Sequence, residues 1–199
     1  MAREGSMNTA NKITILRILL VPFFVSQLLY YAGGGEEHYR LLAILSFAAA
    51  SLLDAVDGYI ARRYHQQTEL GAILDPLADK LLLVSGLVAL SFDHRPLLEQ
   101  LPLWLALTVF SRDIIILVGM AVIHYTCGKV KVRPHVIGKI ATVLQMITVA
   151  WTLLKWEGGW LFSWSLAAAV CTGISGLLYI GDGVRQLNAS PSSSSTPTP

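Results

Sequence analysis

Long apolar segments, separated by short polar stretches, fill most of this 199-residue chain. About 20 consecutive apolar residues are enough for a helix to cross a bilayer. The pattern therefore predicts an all-α, integral membrane bundle of six transmembrane helices, at residues 13–31, 40–61, 71–92, 101–125, 136–156 and 160–180.

The stretches between and beyond these segments are polar or rich in glycine. Glycines at 33–35 and 158–159 predict turns after the first and fifth spans. A polar N-terminal stretch predicts an amphipathic juxtamembrane segment before the first span. Residues 1–187 form the predicted membrane domain, and the Ser/Thr/Pro-rich tail, 188–199, is predicted to be disordered.

Composition and charge agree with a membrane protein and indicate its orientation. Hydrophobic residues make up 54% of the chain and charged residues 14%, against about 25% charged in a typical soluble domain. Only three cations, Arg40, Arg95 and Lys155, fall on one side of the predicted bundle. The other side is rich in basic residues and is therefore predicted to be cytoplasmic, with both termini there: Arg3, Lys12, Arg17, Arg62, Arg63, Lys129, Lys131, Arg133, Lys139 and Arg185.

Four aspartates lie within the apolar segments. Asp54 and Asp57 come near the end of the second predicted span, and Asp75 and Asp79 near the start of the third. Carboxylates in a membrane span are costly and usually mark a functional site. Each pair has the spacing of one helix face, so an antiparallel hairpin would bring all four together at the cytoplasmic leaflet. Hard oxygen ligands at this density predict bound Mg²⁺ or Mn²⁺.

Written out, this segment resembles the signature of the CDP-alcohol phosphotransferase family at every fixed position: Asp54, Asp57, Gly58, Ala61, Arg62, Gly71, Asp75 and Asp79. The resemblance implies transfer of a phosphatidyl group from CDP-diacylglycerol to an alcohol hydroxyl, with release of CMP. It also implies two divalent ions held by the four aspartates. Asp79 is in addition implied to be the catalytic base that takes the hydroxyl proton.

The remaining signature residues are implied to bind the CDP group. Gly58, and with it Ala61 and Gly71, would let the nucleotide approach the helix backbone closely; the alternative is close packing between helices. Arg62 offers a forked donor suited to a diphosphate. Its alternative role is that of a cytoplasmic anchor.

Three polar residues around the start of the first predicted span, Asn11, Thr14 and Arg17, recur every third position and form one stripe. The stripe resembles the start of the first helix in glycerophospholipid members of the family, where it faces the CDP donor. All three are therefore implied CDP-binding residues. The alternative is a helix that lies on the membrane surface with basic anchors.

Candidate acceptor-binding residues lie in the second half of the chain. Arg112 sits midway along the fourth predicted span, where an arginine needs a partner or a wet cavity. One interpretation is that Arg112 lines the acceptor pocket and is oriented by Asp113. The alternative is that a pair with Asp113, or with an aspartate of the motif, only holds the bundle together. Arg133 and Lys139 are the candidates for binding an acceptor phosphate, although an anchor for anionic lipid explains the same basic loop.

The resemblance is to the phosphatidylglycerophosphate synthase and cardiolipin synthase subgroups of the family. Glycerol 3-phosphate is the expected acceptor, and Arg112-Asp113 keeps phosphatidylglycerol open as the alternative. A divalent-cation transporter is a remote alternative, since no inverted repeat or broken helix is evident. The expected partners are these substrates, membrane lipids and a second copy of the chain in a homodimer, with no nucleic acid.

Overall fold

A computed structural model of the chain describes residues 9–64, 69–94, 96–127, 136–156 and 159–188. Within these ranges only the backbone is described at residues 9–12, 55, 57–64, 69–77, 79, 123–124, 126–127 and 186–188. The predicted tail beyond residue 188 lies outside the described residues.

Six helices and no strand occur in the described ranges, which confirms the all-α prediction. The helices are α1 (Thr9–Gly34), α2 (Glu37–Tyr64), α3 (Glu69–Ser91), α4 (Leu103–Cys127), α5 (Val136–Leu153) and α6 (Trp160–Asn188).

Four of these helices are long and apolar enough to cross a membrane, at Ile13–Gly34, Leu103–Val122, Val136–Leu153 and Trp160–Arg185. The described side chains of α3 contain a shorter apolar stretch, Lys80–Ser91. The predicted spans at 40–61 and 71–92 are not confirmed, and part of each lies outside the described side chains. A separate N-terminal amphipathic segment is not confirmed either, since α1 runs without a break from Thr9.

The helices form two compact units. The first comprises Met1–Leu101 and Val149–Gly158, and therefore contains α1, α2, α3 and the end of α5. The second comprises Pro102–Thr148 and Gly159–Pro199, with α4, α6 and the first part of α5.

The first unit is built around one buried face of α1. Its buried residues are spaced alternately three and four apart, as expected for a single helix face: Thr14, Arg17, Val21, Phe24, Leu28 and Tyr31. On α2 the matching face carries Ala43, Phe47 and Ala50, and the small alanines allow the helices to approach closely.

Contacts along this interface show that α1 and α2 are antiparallel. The Phe24 and Phe47 rings lie 5.6 Å apart in the middle of the interface. Arg17 near the start of α1 pairs with Asp54 in the second half of α2. The apolar face of each helix therefore becomes polar at the end that carries the aspartate motif.

The opposite end of this interface is fastened by a charged network around Glu37. The Lys155 ammonium donates to Glu37 Oε1 at 2.8 Å, and Arg40 Nε donates to Oε2 at 2.5 Å. The Tyr31 hydroxyl also donates to Oε1, and Arg40 Nη1 donates to the Leu153 carbonyl. The network thus joins the end of α1, the start of α2 and the end of α5.

These partners stabilise the ionised form of Glu37. The Lys155 ammonium, followed by the Arg40 guanidinium, lowers the pKa of Glu37 from 4.5 to about 2. The same contact with Glu37, and a second with Tyr31, raises the pKa of Lys155.

Glycines in left-handed conformations lie at both predicted turns. Gly35 has φ 72° and donates its N–H to the Tyr31 carbonyl at 2.8 Å, which ends α1. Gly159, at φ 70°, immediately precedes α6.

The second unit has a more polar interior than the first. The buried face of α6 carries Leu161, Ser165, Ala168, Thr172 and Ser175. From α5, Gln145 Nε2 donates to Thr172 Oγ1 at 2.9 Å. Hydrogen bonds of this kind join helices in membranes, where apolar burial alone gives little driving force between them.

Replacing the acid at the centre of the charged network, in Glu37→Gln, is predicted to lower thermal stability at neutral pH. Because the pKa of Glu37 falls on folding, its contribution is present above pH 4.5 and is lost as the pH falls towards about 2. The difference between wild type and variant should therefore shrink from pH 6 to pH 3. Tryptophan-fluorescence melting in detergent measures this.

The matched control for this experiment is Glu36→Gln, which removes an exposed carboxylate whose partner is His38 at 3.2 Å. It should leave the melting temperature nearly unchanged over the same pH range. Equal effects of the two variants would show that the network adds nothing specific to folding.

Candidate active site

The helices that carry the aspartate motif follow one another in the chain and both belong to the first unit. Asp54 and Asp57 belong to α2, and Asp75 and Asp79 to the first half of α3. The two helices contact each other, and only residues 65–68 separate them. Such a connection spans at most roughly 18 Å, so the end of α2 and the start of α3 lie at the same end of the unit. This agrees with the predicted hairpin.

Of the four carboxylates, the structure describes the side chain of Asp54. Its Oδ1 accepts a hydrogen bond from Arg17 Nη1, and the side chain keeps 43% of its surface exposed. Asp57, Asp75 and Asp79 have described backbones only. The convergence of all four carboxylates, and the role of Asp79 as base, therefore stay predictions.

Arg17 is the most fully buried charged residue described in this unit, with no exposed side-chain surface. Thr14, one turn earlier, is buried on the same face. A helix lying on the membrane surface would leave such polar groups exposed, so this burial argues against that alternative for both residues. The Asn11 side chain is outside the described part, and the CDP-binding role of the stripe stays a prediction.

The Arg17–Asp54 pair suits a site that must hold several carboxylates. A buried guanidinium is stable only when paired, and its planar donors match a carboxylate. Its positive charge offsets one of the four negative charges of the motif. The pair also ties α1 to α2 at the motif, which restrains the Asp54 carboxylate.

The donor set of this motif fits a divalent ion. Carboxylate oxygens are the ligands that Mg²⁺ and Mn²⁺ prefer, and half-exposed Asp54 is accessible to one. Among the described side chains no group of three metal-binding residues occurs. Three of the four aspartates lie outside that set, so the ions stay a prediction.

For the other predicted CDP-binding residues the structure describes only the backbone, and therefore only the helix to which each belongs. Gly58, Ala61 and Arg62 follow Asp57 along α2, and Gly71 precedes Asp75 on α3. Their side-chain surroundings lie outside the described part. Their roles stay predictions.

The candidate acceptor residues belong to the second unit. Arg112 Nη1 donates to Asp113 Oδ1 at 2.9 Å, so the predicted contact between these neighbours is present. Lys139 is exposed on α5. Arg133 lies outside the described residues.

Sequence reasoning missed two neighbours of Arg112. Arg112 Nη2 donates to Ser175 Oγ at 3.3 Å, and the guanidinium carbon lies 5.7 Å from the centre of the Tyr179 ring. A signal for them exists in the sequence, because the buried residues Ser165, Thr172 and Ser175 recur on one face of α6 in steps of seven and three, and Tyr179 follows Ser175 by four.

The chain belongs to the CDP-alcohol phosphatidyltransferase family, whose model matches residues 7–175. A probable phosphatidylglycerophosphate synthase of Mycobacterium tuberculosis is 32% identical to it over 93% of this chain and 86% of the relative. The CDP-diacylglycerol–glycerol-3-phosphate 3-phosphatidyltransferase of Escherichia coli K12 is 34% identical over 74% of this chain and 78% of its own length.

A protein of that same name from Pseudomonas fluorescens is 42% identical over 55% of this chain and 53% of its own length. Membership of the family and the four long apolar helices together identify an integral membrane protein.

The buried pair predicts strong coupling between Arg17 and Asp54. Asp54→Asn would leave the buried guanidinium without its counter-charge and should destabilise the protein by about 1–3 kcal/mol, less than for a fully buried pair because Asp54 is partly solvated. The double variant Arg17→Met/Asp54→Asn removes both charges and should recover part of this loss. Thermal melting of the wild type, the single variants and the double variant in detergent gives the coupling free energy between the two residues.

The control is Arg185→Met, which removes an exposed arginine at the end of α6. It should change stability by no more than about 0.5 kcal/mol. Strictly additive effects of Arg17→Met and Asp54→Asn would contradict the coupling.

Proposed function

We propose that this protein transfers the phosphatidyl group of CDP-diacylglycerol to glycerol 3-phosphate, releasing CMP and forming phosphatidylglycerophosphate. The observation that carries the proposal is the complete aspartate signature within a family match over residues 7–175. The names of the Mycobacterium and Escherichia relatives support glycerol 3-phosphate as the acceptor.

A second acceptor, phosphatidylglycerol, is favoured by one feature. Arg112 is followed by Asp113, a pairing closer to cardiolipin synthases. The names of the relatives weigh against this alternative. A cation transporter has no comparable support.

In the proposed reaction, the acceptor hydroxyl attacks the lipid-linked phosphorus of the donor and the bond to the CMP phosphate breaks. Asp79 takes the hydroxyl proton. Two ions, Mg²⁺ or Mn²⁺, bound by Asp54, Asp57, Asp75 and Asp79, would neutralise the charge that develops on the departing phosphate. Arg17 restrains Asp54 in this set.

Substrate binding is assigned to two groups of residues. The CDP group is bound by Gly58, Ala61, Arg62 and Gly71, together with the stripe Asn11, Thr14 and Arg17. The acceptor's phosphate is bound by Arg112, Arg133 and Lys139. The guanidinium group of an arginine can donate two parallel hydrogen bonds to phosphate oxygens, and the ammonium group of a lysine adds a compact positive charge.

The proposed membrane arrangement has six spans, with α2 and α3 as the second and third. Both termini and the aspartates face the cytoplasm, which the excess of basic residues on that side supports. Membrane lipids surround the bundle, and two copies form a homodimer.

Purified protein with CDP-diacylglycerol and glycerol 3-phosphate is predicted to release CMP only when Mg²⁺ or Mn²⁺ is present. Mass spectrometry of the lipid product separates phosphatidylglycerophosphate from cardiolipin when each acceptor is supplied in turn. If the protein forms cardiolipin from phosphatidylglycerol and no product from glycerol 3-phosphate, phosphatidylglycerol is the acceptor and the proposed acceptor is wrong. Cation flux into vesicles without CMP release would contradict the proposed transferase activity.

Loss of the proposed base, in Asp79→Asn, is predicted to reduce turnover by at least about 100-fold while CDP-diacylglycerol still binds. Initial rates of CMP release and donor binding to the detergent-solubilised protein measure the two effects. Asp93→Asn, in the exposed stretch after α3, is the matched control and should keep the wild-type rate. A near-normal rate for Asp79→Asn would show that another group takes the proton.

A further inference from the structure

The side chain of Arg112 is held in the second unit by groups from its own helix and from α6. Asp113 accepts from Nη1, Ser175 Oγ accepts from Nη2, and the Tyr179 ring lies below the guanidinium. Only 17% of the Arg112 side chain is exposed. A long side chain held at three points loses most of its rotamer freedom on folding, so its charged end has a defined position.

One donor atom of this arginine is left over. Arg112 Nε is buried and has no hydrogen-bond partner among the described residues. Leaving a charged donor unsatisfied is costly, so such a group calls for an explanation, and a functional role is one of those recognised. The contacts with Asp113 and Ser175 therefore leave part of the donor fork unused.

Space for the guanidinium depends on a glycine of the third helix in this unit. A Cβ at Gly138, near the start of α5, would lie 3.1 Å from Arg112 Nη2 and 3.1 Å from Ser175 Oγ. Both distances are tighter than ordinary van der Waals contact. Any larger residue at position 138 must push the guanidinium or the serine aside by a few tenths of an ångström.

We infer that Gly138 and Ser175 are positioning residues that set the placement of the Arg112 guanidinium, and through it the affinity for the acceptor's phosphate. This inference rests on the proposed acceptor role of Arg112. Neither Gly138 nor Ser175 is proposed to contact the acceptor itself. Gly138 provides the space, and Ser175 provides the hydrogen bond that directs Nη2.

The energetics favour an effect on binding over an effect on folding. Alanine is a better helix former than glycine, so Gly138→Ala gains helix propensity, while its methyl group crowds only the ends of two side chains, the Arg112 guanidinium and the Ser175 hydroxyl. A few tenths of an ångström matter more for charge-assisted hydrogen bonds to phosphate, which need defined distances and directions.

The test compares Gly138→Ala with Gly119→Ala, in full-length protein in detergent. Gly119 is a helical glycine of α4 in the same unit, and a Cβ there would meet no atom within 4 Å. Gly138→Ala should raise the KM for glycerol 3-phosphate about tenfold, with a smaller change in kcat and an unchanged KM for CDP-diacylglycerol. Gly119→Ala should keep all three values.

Ser175→Ala tests the second positioning residue, because it removes the hydroxyl that accepts from Arg112 Nη2. It should raise the acceptor KM and leave the KM for CDP-diacylglycerol unchanged, and an acceptor KM at the wild-type value would overturn the role of Ser175. An acceptor KM for Gly138→Ala equal to wild type would overturn the inference. So would a lower melting temperature with equal changes in both KM values.

Direct binding of glycerol 3-phosphate to the purified proteins separates this inference from the proposed function. If wild type forms no phosphatidylglycerophosphate, the proposed function fails, and the inference is then judged on affinity alone. Weaker binding to Gly138→Ala than to Gly119→Ala supports it. Equal binding, or no binding to wild type, overturns it.

Discussion

The pairing of Arg17 with Asp54 is the interaction on which the first unit depends, because it is the point where a buried helix interface must accommodate charge. Apolar side chains fill most of the contact between α1 and α2, yet both helices present a charged residue at the end that carries the aspartate motif. An isolated charge there would cost several kcal/mol. Each residue supplies the counter-charge of the other, and the pairing restrains the Asp54 carboxylate.

The two units handle polar groups in different ways. In the first unit, charge is concentrated at both ends of an apolar interface, with Arg17 at one end and Glu37 with Lys155 at the other. In the second, neutral polar groups such as Gln145 and Thr172 line the interface, in addition to the charged Arg112–Asp113 pair. Hydrogen bonds between uncharged groups avoid the desolvation cost of ions and still fix the register of the helices.

Arg112 shows why a single arginine within an apolar helix needs several supports. Asp113 balances its charge, Ser175 directs one of its amino groups, and the Tyr179 ring covers one face of the guanidinium. Gly138 leaves the volume that the guanidinium occupies. Together these contacts restrict an otherwise flexible side chain to a defined position.

The amino-acid sequence by itself determined the all-helical class, the turns at Gly35 and Gly159, four of the long apolar helices and the family. Each of these depends on local periodicity or on a fixed spacing within one segment. The pairing of Arg17 with Asp54, and the surroundings of Arg112, were decided only by the tertiary structure. They depend on how each helix is rotated and which residues of its neighbour it meets, and these follow from packing across the whole unit.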